Sequence, residues 1–99
     1  MIKHIVSWNL NEDIKGNERE EILTSLKASF EALKDKLDYL IDIKLIINHL
    51  ESSTVDLALI CDFEDTKGLS KYQVSPEHLE VAAVVRRVCC NRNCIDYEY

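Results

Sequence analysis

Apolar and polar residues alternate over positions 2–10: Ile2, Val6, Trp8 and Leu10 fall on one side, and Ile5 sits among polar residues on the other. A period of two predicts a strand with one buried face. After a polar connection over 11–16, Asn17 stands three residues before Glu20 as an N-cap and N3 pair, and Glu18, Glu20 and Glu21 put negative charge where a helix dipole is positive. Ile22, Leu23, Leu26, Phe30, Leu33 and Leu37 then recur at steps of one, three and four, with Lys27, Glu31, Lys34 and Asp35 on the opposite face. This predicts one amphipathic helix over 18–38. Residues 41–50 are dense in β-branched side chains and end at the polar turn Glu51-Ser52-Ser53-Thr54, after which 55–63 resumes an extended pattern. These two segments predict a hairpin. Residues 65–72 suggest a short helical stretch weakened by Gly68, and Ser75-Pro76-Glu77 supplies a cap, a proline at N1 and an acid in the first turn of a second helix running to about Val88. Its inward stripe is Val81, Ala82, Val85 and Val88, with His78 on the same stripe. Residues 89–99 form the last predicted strand.

The order β-α-β-β-α-β is the split βαβ arrangement of the α+β class, ferredoxin-like, with a four-stranded antiparallel sheet. Two helices cover one face of such a sheet. The middle strands nonetheless read as apolar on both sides: Ile41, Ile43, Leu45 and Ile47 point one way and Ile46 and Leu50 the other, while Leu57, Leu59 and Phe63 oppose Ala58 and Ile60. A second copy of the chain is the simplest cover for that face, and it implies an isologous homodimer with stacked sheets, a dimeric α+β barrel.

Composition narrows the partners. The chain has 99 residues, enough for one domain spanning 1–99, and its 18 acids against 12 bases leave a net charge of −6. With no lysine- or arginine-rich run to neutralise phosphates, nucleic acid is not an expected partner. A chain this short buries only about two-thirds of the surface its unfolded form exposes, so association would help it. The longest apolar stretch, Val81 to Val85, is too short to cross a bilayer, and Met1 to Val6 reads as a strand rather than a signal peptide. No membrane partner and a cytoplasmic location are the expectations. Of the four cysteines, Cys89, Cys90 and Cys94 crowd into six residues, but an adjacent pair without a second hook is not zinc spacing, so reduced packing thiols are expected. Asp62, Glu64 and Asp65 lack the glycine-turned loop of a calcium site. Without a G-x-G-x-x-G, Walker, H-E-x-x-H or serine-elbow motif, no cofactor and no metal are expected.

Four segments, I-K-H-I-V-S-W at 2–8, D-L-A-L-I-C-D-F at 56–63, Y-Q-V-S-P-E-H at 72–78 and C-I-D-Y-E at 94–98, together resemble the stress-responsive A/B barrel (Dabb) domain over nearly the whole chain. The resemblance implies a ferredoxin-like dimeric α+β barrel whose members mostly have unassigned roles, some plant relatives acting as polyketide cyclases. In cyclase-type relatives the tyrosine and histidine of a Y-x5-H segment carry acid–base chemistry, and Tyr72 and His78 match them. The family pattern often reads H-P-x-H, whereas this chain has Ser75 at the first histidine, which suits a helix cap better.

Two readings of these residues stand side by side. In the functional one, His78 stays neutral in the first turn of a helix and accepts a proton, Tyr72 donates to a developing enolate, and His4 and Trp8 complete a pocket for a small apolar or aromatic ligand. Such a site would make the chain a cyclase- or lyase-type enzyme, or a ligand carrier without turnover. In the structural one, His78 caps backbone groups or bonds to the first strand, Tyr72 is an amphipathic lid, and His4 and Trp8 belong to the core of a stress-associated protein without a ligand. His49 reads as exposed, and the dipole at a helix C-terminus accounts for Arg86 and Arg87.

Overall fold

Strand β1 (Ile2–Leu10) is paired along both edges in a computed structural model that describes residues 1–99. On one side lies β3 (Leu57–Phe63), antiparallel, with Ile2 opposite Phe63 and Trp8 opposite Leu57. On the other lies β4 (Cys89–Glu98), with Ile2 opposite Glu98 and Ile5 opposite Ile95. Strand β2 (Leu40–Ile46) completes the sheet outside β3, giving the order β2-β3-β1-β4. This is the ferredoxin-like α+β topology that the order of elements implied.

The helices α1 (Gly16–Glu31), α2 (Leu33–Lys36), α3 (Thr66–Val74) and α4 (Pro76–Val88) complete the chain. Leu23, Leu26 and Phe30 of α1 and Val81 and Val85 of α4 join Val6, Trp8, Leu45, Leu57 and Leu59 of the sheet in one buried cluster of 21 residues. Trp8 stacks on Phe30 with ring centroids 6.2 Å apart. No helix is long and apolar enough to cross a membrane.

The single helix expected over 18–38 is interrupted at Ala32. Ala32 keeps right-handed angles and its N–H still reaches the Ala28 carbonyl, so Phe30, Leu33 and Leu37 all stay buried and the apolar spacing carries no sign of the break. Asn17 does not cap α1. The cap position is the extended Lys15, followed by Gly16 at φ +61°, a left-handed angle that glycine adopts without a Cβ clash. Strand β2 stops at Ile46 rather than 50, leaving Leu50 exposed. Strand β3 starts at Leu57 rather than 55 because Asp56 is pinned to the end of β1: its N–H donates to the Trp8 carbonyl, and its carboxylate accepts from the Leu10 N–H at 2.8 Å.

The expectation that Ile41 shares a face with Ile43 and Leu45 is overturned by a bulge. Leu40 pairs with Phe63 and Asp42 with Asp62, so Ile41 is an extra residue, and the alternation inverts across it. Leu40, Ile43 and Leu45 are buried, whereas Ile41 is exposed. The helix-free face is consequently more mixed than the sequence suggested. Ile5, Ile60 and Ile95 form an apolar row across β3, β1 and β4, but Lys3 and Asp62 form an ion pair beside it at 3.4 Å and the Tyr99 hydroxyl donates to Asp62.

Ser75, as expected, caps α4 and also joins it to α3. Its Oγ accepts from the His78 N–H at 3.2 Å and donates to the Tyr72 carbonyl at 3.1 Å, with the side chain buried. Ser75→Ala removes both bonds, and urea unfolding is expected to show a loss of about 1–2 kcal/mol, with Ser75→Thr recovering most of it.

Candidate functional site

A cavity of about 460 Å³ lies between the sheet and α4. Val6 and Trp8 of β1, Leu59 of β3, Phe30 of α1, and Ala82 and Val85 of α4 form its apolar wall. These positions follow from the two periodicities. Alternate residues of β1 look toward the helices, and 78, 82, 85 and 86 recur on one stripe of α4. His4, Gln73, His78, Arg86, Asn91 and Arg92 supply the polar lining, and Arg86, Asn91 and Arg92 are solvent-exposed.

His4 is buried on β1, and its Nδ1 is bonded to the Asp96 carboxylate of β4. The register explains the pair, since Asp96 lies directly opposite His4 and Cys94 opposite Val6. Cys94 Sγ stands 3.8 Å from the His4 Nδ1 and 3.7 Å from Asp96 Oδ1. The carboxylate thereby orients the imidazole. His4, Cys94 and Asp96 offer one donor each within 4.8 Å, a set that a divalent transition ion accepts. The positive charge of Arg92 acts on Cys94 and opposes a cation there. Burial, reinforced by Asp96, raises the Cys94 pKa.

Tyr72 and His78, six residues apart, are brought into contact around the Ser75 joint, with ring centroids 4.2 Å apart. Tyr72 is fully buried and also meets Phe63 at 5.4 Å and His4 at 6.1 Å. It packs behind His78 and does not line the cavity, whereas His4, Trp8 and His78 do. The Tyr72 hydroxyl and His78 Nδ1 are both buried without a hydrogen-bond partner. Burial raises the Tyr72 pKa, helped by the neighbouring Cys61 thiol, so the phenol keeps its proton. Cys61 itself is pushed up to about 12, chiefly by burial. Burial lowers the pKa of His78; the Gln73 carbonyl opposes the shift, and the charges of His4, Arg86 and Arg92 reinforce it. His78 therefore faces the cavity as a neutral imidazole near pH 7.

Arg86, Arg92, Cys94 and Asp96 were not picked out as site residues from the sequence. A signal for Arg86 was present, because it lies four residues beyond Ala82 and eight beyond His78 on the inward stripe. For Arg92, Cys94 and Asp96 the signal was their period-two spacing on the last strand. Nothing in the sequence showed that this face meets His4. All four cysteines are free; Cys61 is a core thiol and Cys89 packs against the core as expected, whereas Cys90 is half-buried and Cys94 exposed. His49 is exposed, as expected, with its Nε2 3.9 Å from Asp56.

The sequence profile of the stress responsive A/B barrel domain (Dabb) matches residues 2–99, and the chain belongs to that family. Among solved structures, it is similar to a dimeric protein of unknown function with a ferredoxin-like fold from Bacteroides fragilis, at 28% identity and a TM-score of 0.92, covering 99% of this chain and 95% of that one. A dimeric ferredoxin-like protein of unknown function from Thermobifida fusca shares the fold at 19% identity and a TM-score of 0.79, over 99% of this chain and 90% of that one. So does the hydroxynitrile lyase of Passiflora edulis, at 15% identity and a TM-score of 0.79, over 97% and 90% of the respective chains. No functionally curated protein matches the chain significantly.

The depressed pKa of His78 carries a stability consequence. Below its ordinary value of 6.5 the unfolded chain binds more protons at this position than the folded one, so folding stability falls as pH drops through that value. His78→Gln is expected to flatten the stability profile between about pH 7 and pH 5 in urea titrations, because a glutamine has no proton to gain.

Proposed function

We propose that residues 1–99 act as one Dabb unit that binds a small apolar or aromatic ligand between the sheet and α4, and that it does so as a homodimer. The ligand reading is carried by the cavity: it is of ligand size, its wall is largely apolar, and His78 lines it. The dimer reading is supported by the apolar row Ile5, Ile60 and Ile95 on the helix-free face and by similar proteins that are themselves dimeric. The two features are compatible. His4, Val6 and Trp8 point toward the helices and Ile5 the other way, so a second sheet packed on the open face leaves the cavity free. Four free thiols suit a reducing compartment such as the cytoplasm.

A second reading is an acid–base enzyme of the cyclase or lyase type. The contact between Tyr72 and His78 favours it, and the fold is shared with a hydroxynitrile lyase. Here the neutral His78 would be the base facing the substrate, and Tyr72, kept protonated, would set its orientation and polarity from behind. If His78→Ala leaves turnover of a polyketide-like substrate unchanged, that reading is lost.

Light scattering at micromolar concentration is expected to give twice the 11.4 kDa chain mass, and Ile60→Glu, which places a charge at the β3 end of the apolar row, to give the monomer. A wild-type protein that runs only at the chain mass overturns the dimer. The uncharged dye phenylnaphthylamine is expected to bind the wild type and quench Trp8, the chain's one tryptophan. Ala82→Leu, which fills the cavity, is expected to weaken that binding about tenfold.

A further inference from the structure

We propose that the cavity selects a small amphiphilic anion, an apolar or aromatic body carrying one carboxylate or comparable acid, with the body against Trp8 and Phe30 and the charge held by Arg86 and Arg92. This rests on the reading of the cavity as a ligand site and adds the class of molecule it takes.

The charge distribution is the first ground. The chain carries 18 acids against 12 bases, yet the cavity lining contains two arginines, two histidines and no aspartate or glutamate. A wall that reverses the sign of the whole molecule is a local selection rather than a reflection of composition. The second ground is the state of the two guanidinium groups. Lys3, Arg19, Lys27 and Lys34 each form an ion pair with an acid, the pair between Arg19 and Asp56 at 2.8 Å. Arg86 and Arg92 form none, as do Lys15, Lys36, Lys44, Lys67, Lys71 and Arg87, but of these unpaired bases only Arg86 and Arg92 line the cavity. Asp96, two steps of the alternation beyond Arg92 on β4, is taken by His4.

Convergence is the third ground. Arg86 comes from the last turn of α4 and Arg92 from β4, so separate elements bring two positive charges to the same cavity. Both lie near enough to His78 to disfavour its protonation. A carboxylate between two guanidiniums gains planar charge-assisted hydrogen bonds, whereas a cationic ligand would meet two like charges. The net charge of −6 repels anions at long range, so selectivity has to arise from these short contacts and not from steering.

The test uses two dyes with the same aromatic body, anilinonaphthalene sulfonate, whose sulfonate stands in for the carboxylate, and uncharged phenylnaphthylamine. The full chain is expected to bind the anionic dye about tenfold more tightly at low salt, as read by dye emission and Trp8 quenching. The exposed pair Arg86→Gln and Arg92→Gln together should abolish that preference while leaving the uncharged dye within about twofold of the wild type, with thermal melts confirming the fold. Equal affinity for the two dyes, or a preference that survives the double substitution, overturns the anion assignment and leaves the cavity as a neutral-ligand site. Failure of both dyes to bind, or binding that ignores Ala82→Leu, overturns the cavity reading and this proposal with it.

Discussion

A strand hydrogen-bonded along both edges cannot slide without breaking two ladders, and β1 is held in this way by β3 and β4. A slip of one residue would send Ile2, His4, Val6, Trp8 and Leu10 to the helix-free face and bring Lys3, Ser7 and Asn9 into the core. The fixed register is what permits His4 to be both buried and paired, since it sets Asp96 directly opposite. The same register aligns Ile5 with Ile60 and Ile95 on the far side. One strand thus supplies the floor of a cavity on one face and the centre of an apolar row on the other.

Around that floor, the polar groups fall into two sets with different freedom. Tyr72 is locked by Phe63, His4 and His78 and has no route to solvent, so its hydroxyl acts on its neighbours and not on an incoming molecule. His78, Gln73, Arg86 and Arg92 face the cavity from α3, α4 and β4, elements that surround it on different sides. The Ser75 cap couples the sets, because it fixes the angle at which α4 leaves α3 and hence the stacking of His78 on Tyr72. Membership of the Dabb family agrees with this frame, and the chemistry at the cavity is set by the particular side chains that this chain places on it.

Much of the frame was legible in the sequence where a periodicity is unambiguous. The alternation of Ile2, Val6, Trp8 and Leu10 and the Ser75-Pro76-Glu77 start of α4 both correspond to what the chain forms. Legibility ended where two local readings had equal merit. Leu40-Ile41-Asp42-Ile43 permits either parity, and the bulge that selects one depends on pairing with β3. Asn17 had the chemistry of a cap, but the chain turns into α1 through the left-handed Gly16 just before it. The site was harder still. His4, Trp8 and His78 could be nominated from their elements, but Asp96 meets His4 across a separation of 92 residues, which no periodicity reveals. For Arg86 the helix dipole is a sufficient local reason, and it masks the residue's position on the inward stripe of α4.

The pairing of β1 with β4 also governs when the site can form. Ile2 lies opposite Glu98, and the backbone of Tyr99 donates to that of Met1, so the ladder between β1 and β4 closes a loop of almost the full length. Contacts of such separation form late, after the entropy of closing the loop has been overcome. During synthesis β4 follows β1, α1, β2 and β3, which are exposed before it. Until β4 pairs, the sheet has an open edge along β1, His4 lacks its carboxylate and the cavity lacks Arg92. The nascent chain therefore passes through an interval in which its central strand is available to wrong partners, and the site is assembled only once β4 has paired.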